Sequence, residues 1–328
     1  MTPVVAPGKR VILTVNPQLL EGKRFSTVRT MVNCLNKRAE LLIVPVGGYD
    51  FERGTVSAYR RARGGKFECI GRVKPEADLW IVYSDGYYLD CRKFGFRLRR
   101  EFFQAQIRFH EEHLRSRNVG MMVNSPEAET RTLKNWFVEL DPEDTGVLAT
   151  YTFPSFDVLR TFQQAHGEMV AKPNWGGGGQ AVRKISSDRD LISFQKEVEA
   201  SPDSDLSDYS FQMYSPGPEK RFWFVGGKFA AARICWDRAE PWAPTRSDRF
   251  RAEPYDERFG AQFQTDLQAA RRMCELSGIT IGAVDLIGDR VNDINGCGTL
   301  FTQYVNWNLV VDARPALSRY LTEIVSCL

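Results

Sequence analysis

Met169-Val-Ala-Lys-Pro-Asn-Trp-Gly-Gly-Gly-Gly-Gln-Ala-Val-Arg-Lys-Ile185 sets two short apolar β-type runs, Met169 to Ala171 and Ala181 to Ile185, around the glycines Gly176, Gly177, Gly178 and Gly179. The pattern reads as a strand, a pliable loop and a returning strand. Consecutive glycines give up side-chain packing and cost backbone entropy on ordering, so the position gains from free dihedrals or from close backbone approach. A loop of bare N–H groups folds readily over a phosphate chain and donates to it from several directions. The same glycines also suit a plain flexible hairpin loop. A Walker A loop is excluded, because no Gly-Lys-Ser/Thr follows and the segment leads into a strand. Lys172, beside Pro173 at the end of the incoming strand, favours the phosphate reading, since an ammonium fixed there reaches the phosphates that the loop covers.

A chain of 328 residues is long for one simple core and suits two or three α/β lobes. Hydrophobic content of 43% and charged content of 26% are those of an ordinary soluble globular protein. The formal charge of +3 gives no reason to expect nucleic acid or another general polyanion as partner. No uninterrupted apolar run approaches a membrane span, and Met1 to Arg10 carries Pro3, Pro7 and Gly8 where a signal peptide has its apolar core. A cytoplasmic protein without membrane contact is the expectation. The 7 cysteines are odd in number, scattered and without a C-x-x-C, which points to reduced thiols.

Toward the N-terminus, Arg10 to Val15 and Glu40 to Val46 are buried-strand patterns, separated by a helix over Ser26 to Lys37 with Ser26 as its cap. Alternating strand, helix and strand argue for a parallel α/β unit. Between Gly47 and Lys74 the pattern weakens, and the basic cluster Arg60, Arg61, Arg63 and Lys66 reads as solvated surface. Asp78 to Tyr83 is a third strand, followed by a loop, Ser84 to Tyr88, suited to facing a ligand. An amphipathic helix over Arg97 to Arg117 contains His110-Glu-Glu-His113, one residue short of H-E-x-x-H and read as part of a solvated helix. With 3 histidines in the chain, a Ser-His-Asp mechanism has little to draw on. Gly120 to Asn124 is a fourth strand, and Ser125-Pro126 opens a helix running through Leu133 and Phe137. These signals divide the chain into 1–119, 120–208 and 209–328, with the polar stretch Ser201 to Asp208 at the second seam.

In the last part, Lys220 to Val225 and Lys228 to Ile234 are strands joined by Gly226-Gly227, a strong hairpin signal. Arg221 and Arg233 thus sit on paired strands, placed either to hold anionic oxygens or on an exposed sheet face. Thr280 to Asn295 is a second hairpin with its turn at Gly288-Asp289. Asp285 lies on its first strand, and Asp293 and Asn295 lie two apart on the other, hence on one face. Converging oxygen ligands of this kind suit Mg²⁺ completed by nucleotide phosphates, though the arginines are alternative partners for the acids.

The order of Lys172-Pro173, the glycine loop, Gln212-Met213-Tyr214, Lys220-Arg221, the Gly-Gly hairpin with Arg233, Val284-Asp285-Leu286 and Asp293-x-Asn295 resembles the ATP-grasp carboxylate–amine ligases, most of all bacterial glutathione synthetase. The likeness covers roughly residues 119 to 300, and the preceding α/β region is compatible with the family's Rossmann-like pre-ATP-grasp domain. The resemblance implies an α/β (α+β) ATP-grasp fold with ATP and Mg²⁺. It implies that Lys172, with Lys220 beside the hairpin, contacts ATP phosphates under the Gly176 to Gly179 loop. Gln212, Met213 and Tyr214 would hold adenine through backbone groups. Arg233, with Arg221, would stabilise an acyl phosphate, and Asp285, Asp293 and Asn295 would hold the metal. The family's earlier phosphate-binding lysine aligns best with Arg131, with Lys134 close by. Two departures stand out. The family's bridging Glu is Asp293 here, and Gly296 to Phe301 does not match the synthetase's substrate segment.

The activity so implied is ATP-driven amide formation between a carboxylate and an amine of small amino-acid or peptide substrates, with no protein nucleophile required. Family resemblance also makes a dimer or tetramer an expectation. Two alternatives stay open: a graspetide-type macrocyclase of the same superfamily, and a non-catalytic ATP-binding regulatory protein like the synapsin ATP-grasp domain.

Overall fold

The computed structural model describes residues 8–15, 17, 20, 26–62, 65–82, 96–175, 181–236, 251–296, 302–305 and 308–328. The glycines Gly176 to Gly179, the loop Ser84 to Tyr88 and the segment from Cys297 to Phe301 lie outside the described residues.

The first lobe is built from β1 (Arg10–Val15), α1 (Ser26–Leu35), β2 (Glu40–Pro45), β3 (Tyr49–Asp50), β4 (Thr55–Arg61), β5 (Phe67–Val73), β6 (Ala77–Val82), α2 (Phe96–Arg115) and β7 (Val119–Val123). Strands β2, β1, β6 and β7 are parallel neighbours, as the continuous apolar runs require of strands buried on both faces. The weakly patterned Gly47 to Lys74 region forms β3, β4 and β5, an antiparallel extension beyond β2. Its outer strand β5 is largely exposed, so it carries no apolar alternation. Arg60 and Arg61 lie on β4, where Arg61 bonds Asn33 at 2.7 Å.

Helix α2 corrects the solvated reading of His110-Glu-Glu-His113, because both histidines are buried. Trp80 Nε1 donates to Thr14 Oγ1 at 2.9 Å, that hydroxyl meets Tyr49 Oη at 3.2 Å, and Tyr49 Oη meets His110 Nε2 at 3.2 Å. Burial, helped by the neighbouring His113, pushes the His110 pKa down to about 3. His113 Nδ1 pairs with Asn118 Nδ2 at 3.0 Å.

Because β7 pairs with β6, residues 119–123 belong to the first sheet, and a boundary at 119 would cut its edge strand. Asn124 follows at φ 53° and ties the lobe to the C-terminal sheet: its Oδ1 accepts from Thr280 N at 2.8 Å and Ile281 N at 3.0 Å. Ser125 then caps α3 (Pro126–Thr130) by accepting from Ala128 N. The helix expected to continue through Phe137 breaks, and a 3-10 helix, Lys134–Glu139, and α4 (Pro142–Thr145) follow. Ala128, Phe137 and Val147 are buried in the C-terminal core, so this stretch packs with the last lobe.

The central lobe comprises β8 (Thr150–Tyr151), α5 (Phe156–His166), β9 (Met169–Pro173), β10 (Arg183–Ile185), α6 (Asp188–Glu199) and β11 (Tyr209–Met213). Strands β9 and β10 are antiparallel on either side of the glycines, as the opening stretch reads. The sheet order is β10-β9-β11-β8, with Leu159, Leu191 and Phe194 of the helices packed on Ala171, Ile185 and Phe211. Since β11 lies between β9 and β8, a seam at 208 would remove an inner strand, and the sheet ends after Met213.

The C-terminal part holds β12 (Glu219–Val225), β13 (Lys228–Cys235), β14 (Ala252–Pro254), α7 (Gly260–Ser277), β15 (Ile281–Ile287), β16 (Arg290–Asn295), β17 (Thr302–Val305), β18 (Asn308–Asp312) and α8 (Arg314–Cys327). Its main sheet has the order β14-β13-β12-β15-β16. Gly226 and Gly227, at φ 62° and 70°, make the two-residue turn that positive φ at both positions requires. A Cβ at Gly226 would lie 2.7 Å from the Tyr320 ring, so the same glycine admits α8. One sheet face buries Phe222, Phe224, Val284 and Leu286 against Phe263, Leu267 and Met273 of α7. On the other face Trp223, Val225, Ile281 and Ala283 join Leu317 and Leu321 of α8 and Met31 and Leu35 of α1 in a core shared with the first lobe. Cys34, Cys69, Cys235, Cys274 and Cys327 are free thiols, and Cys91 and Cys297 lie outside the described residues. No helix among the described residues is long and apolar enough to cross a membrane.

Candidate active site

Along β12, period two puts Glu219, Arg221, Trp223 and Val225 on one face. The apolar half of that face is covered by the first lobe, and the charged half forms the site. Register aligns it: Arg221 is opposite both Arg233 and Asp285, Asp285 is opposite Asp293, and Ala283 is opposite Asn295.

Asp285 is buried, and Arg221 holds it through Nε to Oδ1 and Nη2 to Oδ2, each 2.6 Å. Asn295 Nδ2 donates to Asp285 Oδ2 at 3.0 Å. Burial alone would raise the Asp285 pKa, but the Arg221 charge and hydrogen bonds, with Arg233 and Lys134 beyond, outweigh it and hold the carboxyl below its usual range. Arg233 is 1% exposed and donates from Nη2 to Glu219 Oε1 at 2.6 Å. Its Nε is buried and has no hydrogen-bond partner among the described residues. A buried guanidinium donor without an acceptor is costly, and a bound anion is the simplest way to satisfy it.

Lys134, at the start of the 3-10 helix, donates to Asp293 Oδ1, which also accepts from Ile294 N at 2.8 Å. Arg131 lies away from these groups: it pairs with Glu127 and donates to Leu276 O at 3.0 Å. Of the two cations weighed after the Asn-Ser-Pro turn, Lys134 reaches the cluster. Between Asp285 and Leu286 the register shifts, so that Leu286 opposes Val291 and Asn292 is the extra residue of a bulge. The bulge re-aims Asn292 toward the central sheet. There Lys172 Nζ donates to Asn292 Oδ1 at 2.7 Å, to Asn292 O at 3.2 Å and to Gln212 Oε1 at 2.5 Å. Lys134, Lys172, Arg221 and Arg233 therefore gather with Glu219, Asp285 and Asp293 where two sheets meet.

Lys220, like Arg131, is separated from the expected set. Odd and even positions of β12 face opposite ways, and Lys220 enters the α7 side, its Nζ 2.5 Å from Asp266 Oδ2. Tyr255 Oη donates to the same oxygen at 2.5 Å and Gln262 Nε2 to Asp266 Oδ1 at 3.0 Å. Lys220 is 5% exposed and Asp266 0%, so Asp266→Asn leaves a buried ammonium without its counter-charge. Urea titration of this variant is expected to give a stability loss of about 3 kcal/mol.

Tyr214 and Met213 also narrow an expectation. Met213 N donates to Ala149 O at 2.9 Å and Tyr214 N to Glu168 O at 3.0 Å. Those two N–H groups are spent in the sheet, so any backbone contact with adenine here falls to the carbonyls. Gln212 is buried, and Lys184 lies 3.9 Å over the Tyr214 ring.

For a divalent cation, the described residues contain no group of three or more His, Cys, Asp or Glu side chains. Asp285, Asp293 and Asn295 nevertheless form an all-oxygen donor set on adjacent strands, which fits Mg²⁺ when phosphates supply further ligands. Sequence reading missed Glu219 and Asn292. Glu219 was within reach, lying two before Arg221 on the same strand face; the bulge that aims Asn292 leaves no mark in the sequence.

No protein-family model matches the chain. A curated relative, glutathione synthetase of Yersinia pestis, is 26% identical over 189 residues, covering 53% of this chain and 54% of the relative. The chain thus spans about half the length of the curated relative it matches. Similar solved structures include the ATP-grasp ligase PsnB complexed with minimal precursor, Mg and ADP, at 17% identity and TM-score 0.57 over 96% of this chain and 98% of that one. D-cycloserine synthetase DcsG aligns at 14% identity and TM-score 0.61, over 96% and 99%. D-alanine–D-alanine ligase from Bacillus anthracis, complexed with ATP, aligns at 12% identity and TM-score 0.59, over 98% and 95%. The chain has the ATP-grasp fold.

Proposed function

We propose that this chain is an ATP-dependent ligase that joins a carboxylate to an amine of amino-acid or peptide substrates through an acyl phosphate. The observation that carries the reading is the meeting of Lys134, Lys172, Arg221 and Arg233 with Asp285 and Asp293 between two sheets, with the buried Arg233 Nε lacking an acceptor among the described residues. Four cations at one junction suit a polyphosphate, and two carboxyl side chains beside an amide suit the cation that accompanies it.

In this reading Lys172 and Lys134 hold phosphate oxygens. Gln212 to Tyr214 border the base. Arg233, backed by Glu219, meets the charge that develops on the transferred phosphoryl group, and Arg221 keeps Asp285 ionised and oriented. Asp285, Asp293 and Asn295 would hold Mg²⁺, whose charge neutralises phosphate oxygens when bound. The substrate carboxylate attacks the terminal phosphorus, ADP leaves, and an amine then displaces phosphate to form the amide. PsnB and the synthetase and ligase named for D-cycloserine and D-alanine–D-alanine bear names that fit such bond formation, and another PsnB complex holds the precursor peptide PsnA2. Peptide acids therefore belong among the substrates tested.

The test is hydroxylamine trapping with ATP, Mg²⁺ and pools of amino acids, small peptides and acidic precursor peptides, read by mass spectrometry. A hydroxamate that disappears in Lys172→Ala is expected, and its mass names the acid. A hydroxamate from long peptides alone selects the macrocyclase. None from any pool, with ATP still bound, sinks the ligase reading in favour of a nucleotide-binding regulator.

A further inference from the structure

We infer that Lys134 guards the metal ligand Asp293, so that the divalent cation and the nucleotide enter this site by exchanging partners with one another. The inference rests on the reading of the site as one for a nucleotide and its cation. Its basis is one pairing: Asp293, placed to hold the cation, is already engaged by Lys134, a group placed to hold phosphate. Lys134 donates to Asp293 Oδ1, with both side chains largely withdrawn from water, 14% and 19% exposed. Asp285 differs, since its partners are Arg221, which orients it, and its fellow oxygen donor Asn295.

The Lys134 ammonium is held in place by the fold. It stands at the first position of the 3-10 helix Lys134–Glu139, whose Phe137 is 2% exposed in the core beneath the C-terminal sheet. Asp293 is equally fixed, because the Oδ1 that takes Lys134 also accepts from Ile294 N at 2.8 Å. With the shorter aspartate, the carboxylate has one rotatable bond fewer than a glutamate with which to swing away from the ammonium. An entering Mg²⁺, which parts with its waters reluctantly, must therefore displace a tethered cation from Asp293. A phosphate chain changes that balance, since it offers the ammonium another anion and frees the carboxylate for the metal. By linkage, the metal helps the nucleotide by the same factor.

Binding of Mn²⁺ as the probe, followed by the paramagnetic signal of the free ion, tests the guard without any turnover. The full chain is titrated without nucleotide as wild type, Lys134→Met and Lys134→Arg, with Asp293→Asn reporting sites elsewhere and thermal melts reporting the fold. Removing the ammonium is expected to tighten nucleotide-free Mn²⁺ binding by about tenfold, the scale on which a neighbouring charge shifts a carboxylate's affinity for a cation. Lys134→Arg, which keeps the charge, is expected to behave as wild type, and Asp293→Asn to abolish the gain. A folded Lys134→Met that binds Mn²⁺ no tighter than wild type overturns the guard. A companion titration with ADP separates the two readings: wild type that takes no ADP even with Mn²⁺ sinks the nucleotide site, while the nucleotide-free comparison still decides Lys134.

Discussion

Arg233→Met is expected to lower ATP-dependent product formation by about a thousandfold, with nucleotide affinity changed far less. Arg233 sits on β13, between β12 and β14, so neither its strand nor its register has room to shift. Glu219 fixes one end of its guanidinium at 2.6 Å, and the 1% exposed side chain meets almost no water. A charge so placed needs little reorganisation when negative charge builds on a transferring phosphoryl group, and low local dielectric strengthens the contact. Methionine replaces the apolar stem and removes the charge; Asp285 keeps Arg221 as its partner, while Glu219, 20% exposed, loses its own and is left to water. Arg233→Lys is expected to recover little, because an ammonium cannot present the planar fork that engages Glu219 and a second anion together. Steady-state ADP release with saturating substrates, beside a fluorescent-nucleotide titration, reads both quantities. Turnover within tenfold of wild type would remove Arg233 from the reaction.

The fold was legible where local chemistry and burial agree. The runs Val11 to Val15 and Leu41 to Val44 are apolar because parallel strands are covered on both faces, and the two hairpins announce themselves through Gly226-Gly227 and Gly288-Asp289. Legibility failed where a strand has little to bury. Phe67 to Val73 pairs with β4 at the sheet margin, so Glu68, Cys69, Ile70 and Arg72 are all exposed and no period survives. The lobe boundaries were misplaced for a related reason. The end of the strand and helix alternation near 120 and the polar stretch 201–208 mark seams, yet β7 and β11 add to the sheets before them. Composition reports solvent, whereas sheet membership is decided by pairing over long sequence separations.

Within the site, strand period and register bring most of the strand residues together and send one to the opposite face. Period two places Arg221, Arg233, Asp285, Asp293 and Asn295 on one face, and the register unites them. The same rule applied to Lys220 sends it to the α7 side, where Asp266 waits 46 positions later in sequence. The choice between Arg131 and Lys134 needed the break after α3, since a continuous helix would have turned the two side chains differently. Charge alone could not separate them.

Histidine burial makes the second large prediction, in which acid unfolds the first lobe through His110. The side chain lies among Tyr49, Trp80 and Phe109, with the ring centroids of Trp80 and His110 4.9 Å apart, and its Nε2 meets Tyr49 Oη at 3.2 Å. Burial, with His113 adding to it, lowers its pKa to about 3 in the folded chain, against 6.5 for an ordinary histidine. Below pH 6.5 the unfolded chain therefore binds a proton that the folded chain refuses. The contribution is fully present above that pH and is lost progressively as pH falls toward about 3, a total on the order of 5 kcal/mol. His113, also lowered chiefly by burial and partly opposed by Glu112, acts in the same direction. Carboxylates such as Asp285, held below their usual range, lose their share over a more acidic window and do so with or without His110. His110→Phe keeps the aromatic packing and removes the titration. Urea midpoints at pH 7, 6, 5 and 4 should fall more steeply in wild type than in His110→Phe, with most of the divergence between pH 6.5 and 4. Parallel curves would mean that the folded chain accepts the proton after all, which would require Tyr49 or a rearranged α2 to supply an acceptor that the buried ring does not have.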